Sequence, residues 1–279
     1  MMITIGLTGW GDHPTITLEN SKKLENYSSY FPVVELDTSF YAIPPQKNIS
    51  SWIEKTPEAF QFIPKAYKAM TQHKEWIEEF SSIEQMFEIF NKTFEPMVVS
   101  NKVKAFLFQF PPYFDCTKQN VAYLRRVREL MKDLPVAIEF RSQSWFTEQN
   151  KEKTLDFLLQ QHFINVIVDQ PQTPNNSVPT IPLSTNDTLA IYRLHGRNYE
   201  GWLGESLNDW RAERTLYNYK KEELVEFATT VETLESKTQE VCVIFNNNSG
   251  GHAAQNAFSL QDILDISFEN LSPRQLDLF

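Results

Sequence analysis

The residues of this chain whose types suit acid–base or anion chemistry stand at the ends of short apolar runs. Glu35 closes on "VVEL", Lys65 follows "FQFIP", Glu139 and Arg141 bracket the end of "VAIEF", Asp169 ends "INVIVD", and Arg193 and His195 end "LAIYRLH". Glu35 and Glu139 come from different runs. Two carboxylates can flank one substrate atom as general acid and base when their surroundings split their pKa values. Glu35, Glu139, Asp169 and His195 are therefore the candidate catalytic set. Lys65, Arg141 and Arg193 supply donors for a phosphate or carboxylate, the arginines by a two-pronged contact, and protonation or tautomer choice lets His195 join them. Trp10, Tyr41, Gln109, Trp145, Asn246 and Asn247, which occupy equivalent run ends, complete the candidate ligand-binding set. A divalent cation held by Glu35, Glu139, Asp169 and His195 is conceivable from the ligand types, but Lys65, Arg141 and Arg193 would repel it. No metal is expected, and no motif specifies a cofactor.

Eight apolar, β-branched runs must position these groups: 3–7, 33–36, 60–64, 104–110, 136–140, 164–169, 189–194 and 241–245. Their near-continuous hydrophobicity suits strands buried on both faces. Amphipathic segments of helical period lie between most of them, at 116–134, 148–162 and 219–236, with a last one at 260–268. Strand then helix, about eight times, predicts a single-domain α/β fold, a (β/α)8 TIM barrel over residues 1–270. A doubly wound open sheet is the competitor, but the glycine fingerprint it often carries is absent after the first run. In a barrel the strand carboxyl ends converge on one mouth. Two connections without a helical pattern, 170–188 and 196–218, are expected over that mouth, and Tyr199, Trp202, Trp210 and Tyr217 of the second offer flat faces to a ligand. The charged run ends also have a purely structural reading, as mutually neutralising rim ion pairs. Buried pairs are seldom more stable than apolar packing, so retaining so many points to a site.

Composition narrows the partners. The 279 residues carry a net charge of −10, which argues against a protein that coats nucleic acid nonspecifically. No stretch of about 18 apolar residues is available to cross a membrane, and the start, "MMITIGLTGW", lacks the features of a signal peptide. A cytoplasmic location is expected. Cys116 and Cys242, the only cysteines, sit in apolar stretches and read as buried free thiols.

Taken together and in order, "GLTGW" (6–10), "VVELDTSFYAIP" (33–44), "WIEKTPEAFQFIPKAYKAMTQH" (52–73), "LFQFPPYF" (107–114), "AIEFRSQSW" (137–145), "VDQP" (168–171), "YRLHGR" (192–197) and "IFNNNSGGHAAQNA" (244–257) resemble the YecE-like family, domain of unknown function 72. The resemblance spans almost the whole chain. It implies a TIM-type barrel, with a general likeness in fold to endonuclease IV and xylose isomerase, and implies no particular reaction. Glu35, Phe40, Tyr41, Lys65, Gln109, Glu139, Arg141, Trp145, Asp169, Arg193, His195, Gly196, Asn246 and Asn247 fall on its characteristic positions. Two positions depart from it: no histidine stands between Arg141 and Ser144-Trp145, and Gln72 interrupts the usual Thr-His, which puts the positioning of His73 in question.

The tail 271–279 ends in "QLDLF". It resembles the pentapeptide by which bacterial polymerases and repair proteins dock on the ring-shaped sliding clamp. Gln275 would hydrogen-bond in one subsite, Leu276, Leu278 and Phe279 would fill an apolar groove, and Asp277 takes the small polar position. Chance occurrence at a given position is on the order of one in a million. A tail folded back onto its own barrel would also account for the three apolar side chains. The first functional reading is a hydrolase or lyase acting on a phosphate-bearing or nucleotide-like molecule and held near DNA by the clamp. A non-catalytic anion-binding or adaptor barrel and a sugar-processing metabolic enzyme are the alternatives.

Overall fold

A computed structural model describes residues 2–16, 22–174, 177–204 and 210–274, the side chains of 210 and 211 excepted. Eight strands form one parallel sheet: β1 (Met2–Thr8), β2 (Val33–Leu36), β3 (Gln61–Pro64), β4 (Phe106–Gln109), β5 (Val136–Glu139), β6 (Phe163–Asp169), β7 (Leu189–Leu194) and β8 (Glu240–Phe245). The order runs β3-β2-β1-β8-β7-β6-β5-β4. Bridges from Phe62 to Val103 and from Lys65 to Leu107 bring β3 against β4, so the sheet nearly closes and the fold is a single-domain TIM barrel. Close approach is needed at one point. A Cβ on Gly6 would lie 2.3 Å from the Val33 carbonyl oxygen, so only glycine lets β1 and β2 pair there.

Side-chain alternation along each strand sorts the core. Val33, Ile63, Leu107, Ala137, Val166, Ile191 and Ile244 fill the barrel interior, while Leu36, Phe62, Phe108, Ile138, Ile167, Tyr192 and Phe245 face the helices. Most of the phenylalanines serve this outer layer. The helix Ile83–Val99 buries Met86, Phe87, Phe90, Phe94 and Met97, a stripe at helical spacing, and each buried side chain contributes roughly 1.5–3 kcal/mol. The Ser82 hydroxyl caps its start by accepting from the Gln85 N–H.

The strand–helix alternation fails once. Among the described residues, no helix lies between β6 and β7. The connection 170–188, expected over the mouth, instead returns along β6: the Thr180 hydroxyl donates to the Val168 carbonyl, Asn165 Nδ2 donates to the Leu183 carbonyl, and the Thr185 hydroxyl donates to the Phe163 carbonyl while accepting from the Asn165 N–H. Side-chain hydroxyls thus satisfy strand groups that would otherwise be buried unpaired. The other connection, 196–218, is not structureless. It forms the short helices Tyr199–Leu203 and Trp210–Thr215. The last barrel helix runs Ala-rich from His252 to Ile263, eight residues earlier than its predicted start at 260. Among the described residues no helix is long and apolar enough to cross a membrane. Both cysteines are free, with Cys242 buried and Cys116 only half-buried.

Candidate functional site at the barrel mouth

Register places the charged strand ends in one layer. Thr8 pairs with Glu35, Gln109 with Glu139 and Val168 with Arg193, so Glu35, Glu139 and Arg193 point inward above the apolar interior. Arg193 is the hub. Its Nε and Nη2 donate to the two oxygens of Glu35 at 2.8 and 2.7 Å, and its Nη1 donates to Glu139. All three side chains are at most 1% exposed. The other oxygen of Glu139 accepts from Gln109 Nε2 at 2.6 Å and from His195 Nε2 at 3.1 Å, with Arg141 Nη1 3.6 Å away. Lys65 Nζ reaches Gln109 Oε1 at 3.3 Å and pairs with Asp37 at 2.8 Å. A continuous polar chain therefore crosses the mouth from Asp37 to Glu35.

The two glutamates differ in acidity. Burial alone raises the Glu139 carboxyl, but Arg193, His195 and Arg141 outweigh it and hold the group well below the usual range. For Glu35 burial wins over Arg193 and Lys65, and the carboxyl is raised. Both glutamates nonetheless have their oxygens engaged and are fully buried, so neither is presented to a ligand. His195 is likewise enclosed. Asn246 Nδ2 donates to its Nδ1 at 2.8 Å, so Nδ1 carries the lone pair and Nε2–H donates to Glu139. Burial, the largest influence, overrides Glu139 and brings the imidazole down to about 3. It is neutral at pH 7.

Asp169 does not join this layer. It pairs in register with Leu194, on the helix-facing side, where its carboxylate accepts from Arg197 and from the Tyr219 hydroxyl at 2.9 Å. That hydroxyl also accepts from the Gly196 N–H. Gly196 sits at φ 85°, and a Cβ there would meet the Tyr217 Cβ at 2.8 Å. Asn247 also turns away, its amide donating to the Tyr217 carbonyl and to Asn256. Trp145 is a core ring, stacked on Phe140 at 4.1 Å and donating to the Phe114 carbonyl. Trp10 packs edge-on against Trp52. None of these four expected site residues lines the cavity above the polar layer.

Above the polar layer lies a cavity of 460 Å³ whose walls include Tyr41, Lys65, Gln109 and Arg141 from the expected set, together with His73, Tyr113, Trp202 and Arg214. Trp202 comes from the helix Tyr199–Leu203, and the guanidinium carbons of Arg141 and Arg214 lie 4.6 and 4.0 Å from its ring centre. The segment that follows Pro111-Pro112 and Tyr113 is held by residues beyond the end of β5. The Ser142 and Ser144 hydroxyls both donate to Asp115, and Ser144 Oγ accepts from the Cys116 N–H. Ser142 lies in the interval between Arg141 and Ser144-Trp145 from which the family's usual histidine is missing. No Asp or Glu lines this cavity among the described residues, although Asp37 pairs with Lys65 at 2.8 Å and Glu139 lies 3.6 Å from Arg141. Among the described residues no group of three or more His, Cys, Asp or Glu is arranged to hold a metal ion.

Sequence reasoning discounted His73 and missed Tyr113 and Arg214. Gln72, the interrupting residue, takes a left-handed conformation at φ 60°. That turn sets the His73 N–H on the Lys68 carbonyl and its Nδ1 2.9 Å from the Thr71 hydroxyl, so the insertion positions the ring rather than displacing it. For Arg214 and Tyr113 no periodicity signalled the site, because both lie in connections. The pentapeptide 275–279 falls outside the described residues. Its root is fixed: Ser272 bonds Ser28 through backbone and hydroxyl, and Arg274 donates to the Ser29 carbonyl and stacks over Tyr30.

Comparison with known proteins agrees with this architecture. The family described as "Protein of unknown function DUF72" matches residues 4–277. UPF0759 protein YunF of Bacillus subtilis is 47% identical over the whole of both chains, and UPF0759 protein YecE of Escherichia coli is 25% identical over 60% of this chain and 58% of its own. Crystal structures of DUF72 family proteins from Enterococcus faecalis and Thermotoga maritima superpose with TM-scores of 0.94 and 0.82, at 42% and 31% identity. They cover 99% and 95% of this chain and are themselves covered completely. With a family match over residues 4–277 and a relative 47% identical over the whole of both chains, the chain belongs to the DUF72 family of unknown function.

Proposed function

We propose that the mouth binds a phosphate-bearing ligand with a flat ring, and that the protein is a cytoplasmic hydrolase or lyase acting on such a molecule. The cavity itself carries this reading: cations Lys65, Arg141 and Arg214 and rings Tyr41, Tyr113 and Trp202 share its walls, with no carboxylate lining it among the described residues. Arginine grips phosphate by two parallel bonds and lysine as a point charge, and aromatic faces accept a base or sugar. Its volume lies within the roughly 300–1,000 Å³ typical of ligand sites. In this reading Glu35 and Glu139 act as positioning residues. They fix Arg193, Gln109 and Arg141 rather than exchange protons with substrate. Calorimetric titration with inorganic phosphate and with nucleoside monophosphates tests the reading. Lys65→Met and Arg141→Met should each weaken binding at least about tenfold. No binding to the wild type, or equal binding to all three proteins, overturns it.

One observation favours a second reading, an anion-binding barrel without catalysis: Glu35, Glu139 and Asp169 are all engaged in ion pairs. Turnover of phosphorylated sugars or damaged nucleotides separates the two readings. Docking to the bacterial sliding clamp through Gln275, Leu276, Asp277, Leu278 and Phe279 rests on the sequence pattern. It is supported by where the tail is rooted: Ser28 to Tyr30 lead into the amino-terminal end of β2, the barrel end opposite the cavity, so a docked partner leaves the mouth open.

A further inference from the structure

We propose that His73 takes up a proton at Nε2 when an anion occupies the mouth, and that the new N–H then donates to that anion. This rests on the anion-site reading above and adds to it a titrating partner for the ligand. The Thr71 hydroxyl lies 3.3 Å from the Lys68 carbonyl and 2.9 Å from His73 Nδ1. Placing the single hydroxyl hydrogen on the Lys68 carbonyl, which can only accept, puts the ring proton on Nδ1 as donor to Thr71; finding the Nε2–H tautomer in the protein without anion, with Thr71 donating to Nδ1, would overturn the inference. Nε2 is left with a lone pair, and among the described residues it has no hydrogen-bond partner. The ring is also fixed sideways, its centre 5.0 Å from that of Phe40 and perpendicular to it.

The electrostatic setting makes Nε2 responsive to what fills the cavity. Lys65 from the end of β3 and Arg141 from the end of β5 both face the imidazole, and after burial they are the causes that bring it down to about 4. Arg214 and Tyr113 share the cavity wall from the two connections, as does Tyr41 from the segment after β2. Asp37 pairs with Lys65 at 2.8 Å and Glu139 lies 3.6 Å from Arg141, and Lys68 lies on the loop of His73 itself. An anion seated between Lys65 and Arg141 reverses the sign of the nearest charge. An opposite charge at such range moves a titrating group by about 1–3 pH units. The proton comes from solvent and is returned when the anion leaves. Linkage then requires anion affinity to rise as pH falls.

Sulfate is the probe, because it stays doubly charged across the range. The imidazole signals of the protein's five histidines are followed by 15N–1H NMR in chloride and in sulfate at equal ionic strength, with His73→Asn identifying the His73 resonances. In chloride His73 should be the Nδ1–H tautomer, titrating near 4. Sulfate should raise that midpoint by about 1–3 pH units. Wild-type affinity for sulfate should be higher at pH 5 than at pH 8 by about twofold for a midpoint raised by about one pH unit, about tenfold for two and about eightyfold for three, and the variant should lose most of that dependence. If the Lys65 and Arg141 side-chain signals respond to sulfate while the His73 midpoint stays put, the anion site stands and this inference falls. If none of the three responds, both fall.

Discussion

Replacing Arg193 with methionine would leave Glu35 and Glu139 buried without the cation they share. Breaking a buried pair by removing one partner costs about 3–5 kcal/mol, and thermal unfolding of Arg193→Met should show a loss of that size. His195 makes a separate prediction about pH. Its folded-state value is about 3, against about 6.5 in the unfolded chain. Below pH 6.5 the unfolded state binds the extra proton, so stability falls on acidification with a slope of up to about 1.4 kcal/mol per pH unit. His13 and His73, both also lowered by burial, contribute in the same window. Glu139, held below its normal range, adds a further loss only below about pH 4.5. Denaturant titrations should therefore show stability declining from near pH 6.5, and His195→Gln, which keeps a donor for Glu139, should reduce that slope. At this scale the sequence showed which residues meet and not what each one does. Residue type and strand end brought Glu35, Lys65, Glu139, Arg141, Arg193 and His195 to one mouth. Which carboxylate is sealed depends on register and alternation, and a shift of one position is what sends Asp169 outward to Arg197.

At the scale of elements, all eight strands were legible because buried parallel strands are continuous apolar runs. The connections were not, because periodicity is silent where side-chain hydroxyls replace a ladder. Thr185 illustrates the point. Its hydroxyl joins the Phe163 carbonyl to the Asn165 N–H, and Thr185→Val leaves both backbone groups buried and unpaired. Loss of that bridge should destabilise the barrel by about 1–3 kcal/mol, measured by chemical denaturation. The helix Tyr199–Leu203 has a different job. It brings the Trp202 ring against the guanidinium groups of Arg141 and Arg214, and each such contact contributes roughly 0.5–2 kcal/mol. Trp202→Ala frees both side chains, so phosphate affinity should fall about tenfold, and because Trp202 is itself buried the protein should also lose about 3–5 kcal/mol of stability, read as a lowered melting temperature.

Over the whole molecule, one end of the barrel holds the cavity and the other holds the root of the tail, anchored through Ser272 and Arg274. The two proposed activities are thus physically separable. Deleting 275–279 should abolish capture by a purified bacterial sliding clamp and leave phosphate binding and the melting temperature unchanged. A large drop in melting temperature without any clamp binding would instead mean that the tail packs on its own barrel. A chain of net charge −10 gains little from DNA by its own field, and tethering would supply proximity by raising local concentration to about the millimolar range. The cationic mouth is the local exception to that acidity, and everything proposed about ligand and proton depends on it. A crystal of the protein soaked in sulfate tests it most directly. The account predicts an anion within hydrogen-bond distance of both Lys65 and Arg141, on the Trp202 side of Gln109. A mouth holding only water while sulfate occupies other surfaces would contradict it.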